Sequence, residues 1–205
     1  MDYIIKEEIE NLYEINKSKF IAILTPIDDI KEIDNILNSI KKRYPKATHY
    51  CYGLALKKET LINKSNDDGE PSGTAGVVIL KAINNKNITN ALLTVVRYFG
   101  GIKLGAGGLI RAYNTASCLV LDKANLFIEK EYHTYHLELD YNLDNKFEQL
   151  IRSLNGFIID KDYQEKIKCT FALEKDETSQ INEFFLGKVQ IIKLENIKKI
   201  VKANP

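Results

Sequence analysis

The residues with chemical potential gather in two blocks. One is Asn66-Asp67-Asp68-Gly69-Glu70-Pro71-Ser72-Gly73-Thr74-Ala75-Gly76; the other is Arg97-Tyr98-Phe99-Gly100-Gly101-Ile102-Lys103-Leu104-Gly105-Ala106-Gly107-Gly108-Leu109-Ile110-Arg111-Ala112-Tyr113. In the second, an apolar strand runs into a glycine-rich turn and the turn into a helix. Glycine lets a ligand approach bare backbone. A helix N-terminus presents unpaired N–H groups and partial positive charge, which suits an anion. The expected anion- or nucleic-acid-binding set is therefore Arg97, Lys103, Gly105, Gly107, Gly108 and Arg111, with Arg111 leaning back along its helix toward the same anion. Gly100 and Gly101 are read instead as tight packing. The block matches neither G-x-x-x-x-G-K-[ST] nor G-x-G-x-x-G, because Ile110 stands where the last glycine would fall, so it is no known nucleotide fingerprint.

The first block is acidic. Asp67, Asp68, Glu70 and Ser72 form a supporting polar loop. Calcium-loop spacing fails, since a glycine is due one residue earlier and the closing Glu is missing. Asp-Gly and Glu-Pro are turn chemistry, and Ser72 or Thr74 suits a helix cap. The carboxylates are expected to pair with Arg97 or Arg111. No metal or cofactor is expected, although an alternative reading has Asp68 or Glu70 holding Mg²⁺ for a phosphate-binding enzyme. His49 and Cys51, two apart on one strand face, lack an orienting third residue, so no catalytic residue is assigned. Zinc spacing is absent. His133 and His136 read as surface residues. Tyr135 and Tyr141 alternate as base-stacking residues do, but the signature of an RNA-binding sheet is missing.

The rest of the chain is ordinary. Its 205 residues, 44% hydrophobic and 28% charged, suffice for one large or two small domains. The net charge of +1 gives no bulk field for a polyanion, so anion binding must be local. Residues 1–130 carry 18 basic and 15 acidic side chains; residues 131–205 carry 11 and 13. Of 29 basic residues only Arg43, Arg97, Arg111 and Arg152 are arginines, and two of the four bracket the glycine cluster, where a planar five-donor fork has a use. Three unpaired cysteines, a mixed acidic N-terminus and no long apolar run lead to the expectation of a cytoplasmic protein without a membrane partner.

Positioning falls to short elements. A hairpin is expected over residues 2–27, then a helix opened by Asp28-Asp29 and ended by Pro45. A strand covers Thr48–Leu56 and a polar loop Asn63–Gly73. Ala75–Ile83 reads as helix or buried strand, Ala91–Phe99 as a central strand, and Gly108–Ala124 as helix. Beyond a linker at Phe127–His133, the pattern is β-α-β-β-α-β, the ferredoxin-like order, with Gly156 closing one helix and Gly187 the other. The domains are thus expected at 1–130 and 131–205.

The two blocks, with Asn16-Lys17-Ser18-Lys19-Phe20-Ile21 and Tyr44-Pro45-Lys46-Ala47-Thr48-His49 ahead of them, resemble the YigZ/Impact family. The resemblance implies an α+β protein: a ribosomal-protein-S5-domain-2-like module followed by a small ferredoxin-like domain similar to one of elongation factor G. It also implies a link to translation, since eukaryotic members are translational regulators acting through protein contacts. The resemblance does not extend to the domain those members use for their partner, so that mechanism is not expected here. Together these readings favour a non-enzymatic RNA- or ribosome-binding protein, with a protein-interaction module as an alternative; the oligomeric state is left open. One departure from the family is Val96, where a Thr often precedes the Arg. It is expected to remove a hydroxyl near the site.

Overall fold

The computed structural model describes residues 2–203. The chain forms two compact units. One runs to Ile128 and takes back Lys202 and Ala203 at the chain's end, and the other is Glu129–Val201. The architecture is α+β, with two sheets and five α-helices among the described residues.

The first unit opens with β1 (Ile9–Ile15) and β2 (Ser18–Pro26). Asn16 and Lys17, both at positive φ, make the two-residue turn that suits the twist of a hairpin. A single helical turn at Ile30–Glu32 follows, closed by a reciprocal cap between Asp29 and Glu32. It leads into α1 (Ile33–Arg43), with Lys41, Lys42 and Arg43 against the negative end of the helix. Next come β3 (His49–Lys57), β4 (Leu61–Asn66), α2 (Gly76–Asn85), β5 (Ala91–Tyr98) and α3 (Gly105–Leu121).

The five strands pair antiparallel in the order β1-β2-β5-β3-β4. Helix α1 covers one face, where Ile33 and Ile40 meet Ile21, Ile23, Leu54, Leu56, Leu92 and Val96. Helices α2 and α3 cover the other, over Phe20, Ala22, Leu24, Cys51, Ala55, Leu93 and Val95. Alternate residues of β5 therefore enter different cores, which explains why a strand buried on both sides reads as a continuous apolar run. Gly53 permits this layering. A Cβ there would lie 2.6 Å from the Leu80 backbone nitrogen, so α2 could not seat on β3.

Several expectations shift. The polar loop at Asn63–Gly73 begins as strand: β4 is an edge strand held by β3, with Ile62 opposite Leu56 and Ser65 opposite Gly53. Its exposure removes the apolar alternation that marks a strand. The segment read as helix or buried strand is helix, from Gly76 onward, with Ala75 just ahead of it. Helix α3 starts at Gly105, three residues before the expected Gly108, and Gly105 itself has φ +67°.

In the second unit, β6 (Phe127–Leu139), α4 (Asp144–Ser153), β7 (Phe157–Tyr163), β8 (Ile167–Leu173), α5 (Thr178–Phe184), β9 (Ile192–Lys193) and β10 (Ile197–Lys202) follow the ferredoxin-like succession. The final strand is split in two, and the segment read as a linker is the start of β6. The sheet order is β10-β6-β8-β7, with β9 also on β6. Gly156 does not occupy the left-handed position after α4; Asn155 does, at φ +54°. Gly156 is required by closeness instead, since a Cβ there would lie 2.5 Å from the Ala172 carbonyl oxygen. Tyr135, weighed as a base-stacking residue, is buried and stacks on Phe171 with ring centroids 5.6 Å apart. No helix among the described residues is long and apolar enough to cross a membrane.

Candidate functional site: an arginine-floored cleft at the start of helix α3

The two glycine blocks meet in space. β5 delivers Arg97 at its end, β3 delivers His49 opposite it in register, and the loop after β4 brings Glu70 and Pro71 alongside. The turn from β5 into α3 supplies Phe99, Lys103, Leu104, Gly105 and Ala106. Together with Thr48 and Leu109 these residues line a cleft of about 300 Å³.

The floor is polar and buried. Arg97 is 5% exposed and Glu70 7%. Arg97 Nη1 donates to Glu70 Oε1 at 2.6 Å, and the Tyr113 hydroxyl donates to the same oxygen at 2.8 Å. Glu70 Oε2 lies 3.9 Å from His49 Nε2. The Arg97 guanidinium carbon lies 5.4 Å from the Phe20 ring and 5.5 Å from the Phe99 ring, so two aromatic faces flank it. His49 is oriented through Nδ1, 2.8 Å from the Asp68 carbonyl oxygen, which leaves Nε2 toward Glu70.

The acidic loop is a scaffold. Asp67 Oδ1 accepts from the Ala75 and Gly76 amides at 3.0 and 2.8 Å, and its Oδ2 accepts from Gly73 at 2.9 Å. It thus caps α2, the role expected of Ser72 or Thr74. Burial pushes the Asp67 pKa up, but the Gly73, Gly76 and Ala75 amides outweigh it and hold the carboxyl below the usual range. Asp68 accepts from the Tyr50 amide at 2.6 Å. These carboxylates are engaged by protein donors, and no metal-holding group of three occurs among the described residues. The ligands proposed for Mg²⁺, Asp68 and Glu70, are committed to Tyr50 and to Arg97 with Tyr113. Ser72 is exposed, and its side chain has no hydrogen bond among the described residues.

Cys51 and His49 do not form a dyad. The Cys51 thiol lies 2.9 Å from the Asp67 carbonyl oxygen and 3.3 Å from the Tyr113 hydroxyl, donating to one at a time. Burial pushes its pKa up to about 12, so it is no thiolate nucleophile at neutral pH.

The glycines sort by physical demand. Gly100 is needed for packing, since a Cβ would lie 2.0 Å from the Lys17 carbonyl carbon. Gly101 and Gly105 adopt positive φ, and a Cβ on Gly108 would meet Leu104 Cβ at 3.0 Å. Gly107 is under no such demand: its nearest neighbour would be Arg111 Nη1 at 3.5 Å. That distance also shows Arg111 reaching back along α3 toward Gly107. No side chain caps the α3 amides.

Arg97 thus belongs to the cleft but is ion-paired, while Lys103, Gly105, Gly107 and Arg111 lie at its exposed rim or beyond. Sequence reasoning missed His49 as a cleft residue, because its role follows from the pairing of β3 with β5. The Val96 departure does not bear on the site: Val96 faces α1 in the opposite core.

The Impact N-terminal domain matches residues 16–121, which contain every residue of this cleft. The chain belongs to the IMPACT family. A second match, to a domain of unknown function, covers residues 137–185. The family member YvyE of Bacillus subtilis is 35% identical over 89% of this chain and 84% of its own length. YigZ of Escherichia coli is 29% identical over 89% and 92%. Human Protein IMPACT is 30% identical over 57% of this chain but only 35% of its own length, so the likeness is confined to part of that protein. A crystal structure of a hypothetical protein superposes over 95% of this chain and 98% of its own, with a TM-score of 0.60 and 28% identity.

Proposed function

We propose that this protein is a non-enzymatic RNA-binding protein of the translation apparatus, engaging ribosomal or transfer RNA through the rim of the α3 cleft. The carrying observation is the uncapped amino end of α3, with Lys103 and Arg111 beside it and Gly107 bare although neither backbone nor packing requires a glycine there. A glycine in a helix costs about 1 kcal/mol relative to alanine, and backbone exposed to a phosphate is a use that offsets it. Phe99 and Ile102, each 46% exposed, give the rim apolar surface on which a base can stack. The family's eukaryotic translational regulators supply the link to translation. The engagement of Glu70 by Arg97 and Tyr113, with the nearby Cys51 thiol held protonated by burial, supports binding over catalysis.

The test is binding to tRNA, ribosomal RNA fragments and single-stranded oligonucleotides at two salt concentrations. Wild type is expected to bind more weakly as salt rises. Lys103→Ala and Arg111→Ala are each expected to weaken binding across sequences and to lower the salt slope by about 0.7–0.9. Binding that ignores salt, or that survives Arg111→Ala unchanged, would overturn the reading.

A further inference from the structure

The geometry points to a terminal phosphomonoester of the RNA, rather than a phosphodiester within the strand, as the group that fills the cleft down to Arg97. This deepens the RNA-binding reading and rests on it.

The argument starts from the floor. Arg97 has five N–H donors in a fixed fork, yet among the described residues its side chain makes one hydrogen bond, to Glu70, and its buried Nε has no partner. Buried donors left unpaired are costly, and native proteins seldom tolerate them without a purpose. The guanidinium lines an open cleft that carries no other anion than Glu70. A ligand bearing several acceptor oxygens on one centre answers that shortage, and phosphate is the group the guanidinium fork fits.

Depth decides between the two kinds of phosphate. Arg97 is 5% exposed, so it sits beneath the rim. A phosphodiester carries ribose on both sides and lies along a surface, where Lys103 and Arg111 meet it. A monoester projects three oxygens beyond the last ribose and can descend. Charge favours it as well. Glu70 neutralises Arg97, and the net positive contribution comes from Lys103 and the α3 amino end, which suit the extra charge of a dianion. Phe99 at the lip is placed to stack the terminal base while its ring packs on Arg97.

The experiment compares one RNA sequence in four forms (5′-phosphorylated, 3′-phosphorylated, hydroxyl at both ends, and circularised) beside the nucleoside monophosphate alone. The full chain is used at fixed salt. One phosphorylated linear form is expected to bind about tenfold or more tighter than the hydroxyl-ended and circular forms. Arg97→Lys keeps a cation for Glu70 but loses the fork. It is expected to abolish the end preference while salt-dependent binding of the circle persists, and a thermal melt confirms that it folds. Phe99→Ala, an exposed position, is expected to weaken the phosphorylated RNA. Equal binding of all four RNA forms overturns this inference and leaves the RNA reading standing. Binding of the monophosphate without any RNA binding overturns both in favour of a small phosphorylated metabolite. No binding in any form also overturns both.

Discussion

The Arg97–Glu70 pair ought to behave as a single energetic unit, and a double-mutant cycle measures it. Glu70→Gln keeps an oxygen that can accept from Tyr113 and removes the charge. Arg97, 5% exposed, is then a buried cation without its counter-ion. Arg97→Met conserves most of the volume and leaves Glu70 with Tyr113 alone. Breaking a buried pair from one side costs about 3–5 kcal/mol. The double variant removes both charges, so its cost stays near that of one single variant, and the coupling is about 3 kcal/mol or more. With a urea m-value of about 2 kcal/mol/M, each single variant moves the midpoint down by roughly 1.5–2.5 M. The chain has no tryptophan, so unfolding is followed by circular dichroism and tyrosine fluorescence. Additivity within about 0.5 kcal/mol would refute the reasoning. So would single costs below about 1 kcal/mol, the range of solvent-screened surface pairs.

Other consequences follow from the same geometry. Asp67→Ala leaves the Gly73, Ala75 and Gly76 amides at the entrance to α2 without their acceptor and should cost about 1–2 kcal/mol at pH 7. Because the folded Asp67 pKa lies below its ordinary 3.8, its charge stabilises the fold above that value, and this contribution is lost as pH falls through the folded value. Denaturation at pH 7 and pH 3 should therefore show the gap between wild type and variant narrowing; an unchanged gap would count against the capping role. Gly107→Ala should raise thermal stability by about 0.5–1 kcal/mol while weakening RNA binding; improved binding would remove the reason given for a glycine there. Gly53→Ala should destabilise the first unit by about 1–3 kcal/mol, because the backbone of α2 must move, and a wild-type melting temperature would contradict that packing. A thiol reagent should label the native protein at half-buried Cys118 alone, with Cys51 and Cys169 both buried and pushed up to about 12; labelling of either without denaturant would refute their assignment as core.

Much of this was local and so legible in the chain. Helix α1 announces itself through Asp29, apolar spacing and its basic last turn, and the strand–turn–helix of the second glycine block through Val95, Gly101 and Leu109. These depend on near neighbours in sequence, where propensity and periodicity operate. Family membership was legible for the same reason, since its motifs are contiguous. Distance along the chain hid the rest. Arg97 and Glu70, 27 positions apart, were an expected pairing, but only the stacking of α3 on the sheet brings Tyr113 to the same carboxylate across 43 positions. The register of β3 on β5 placed His49 opposite Arg97. The parity of β5 turned Val96 away from the cleft, since a one-residue step on a strand changes the face. The edge strand β4 was illegible because its stability resides in hydrogen bonds to β3 rather than in its own side chains. Local pattern thus fixes which elements form and which polar side chains they carry, whereas which of those side chains face one another depends on burial and pairing, properties of contacts that the chain order does not contain.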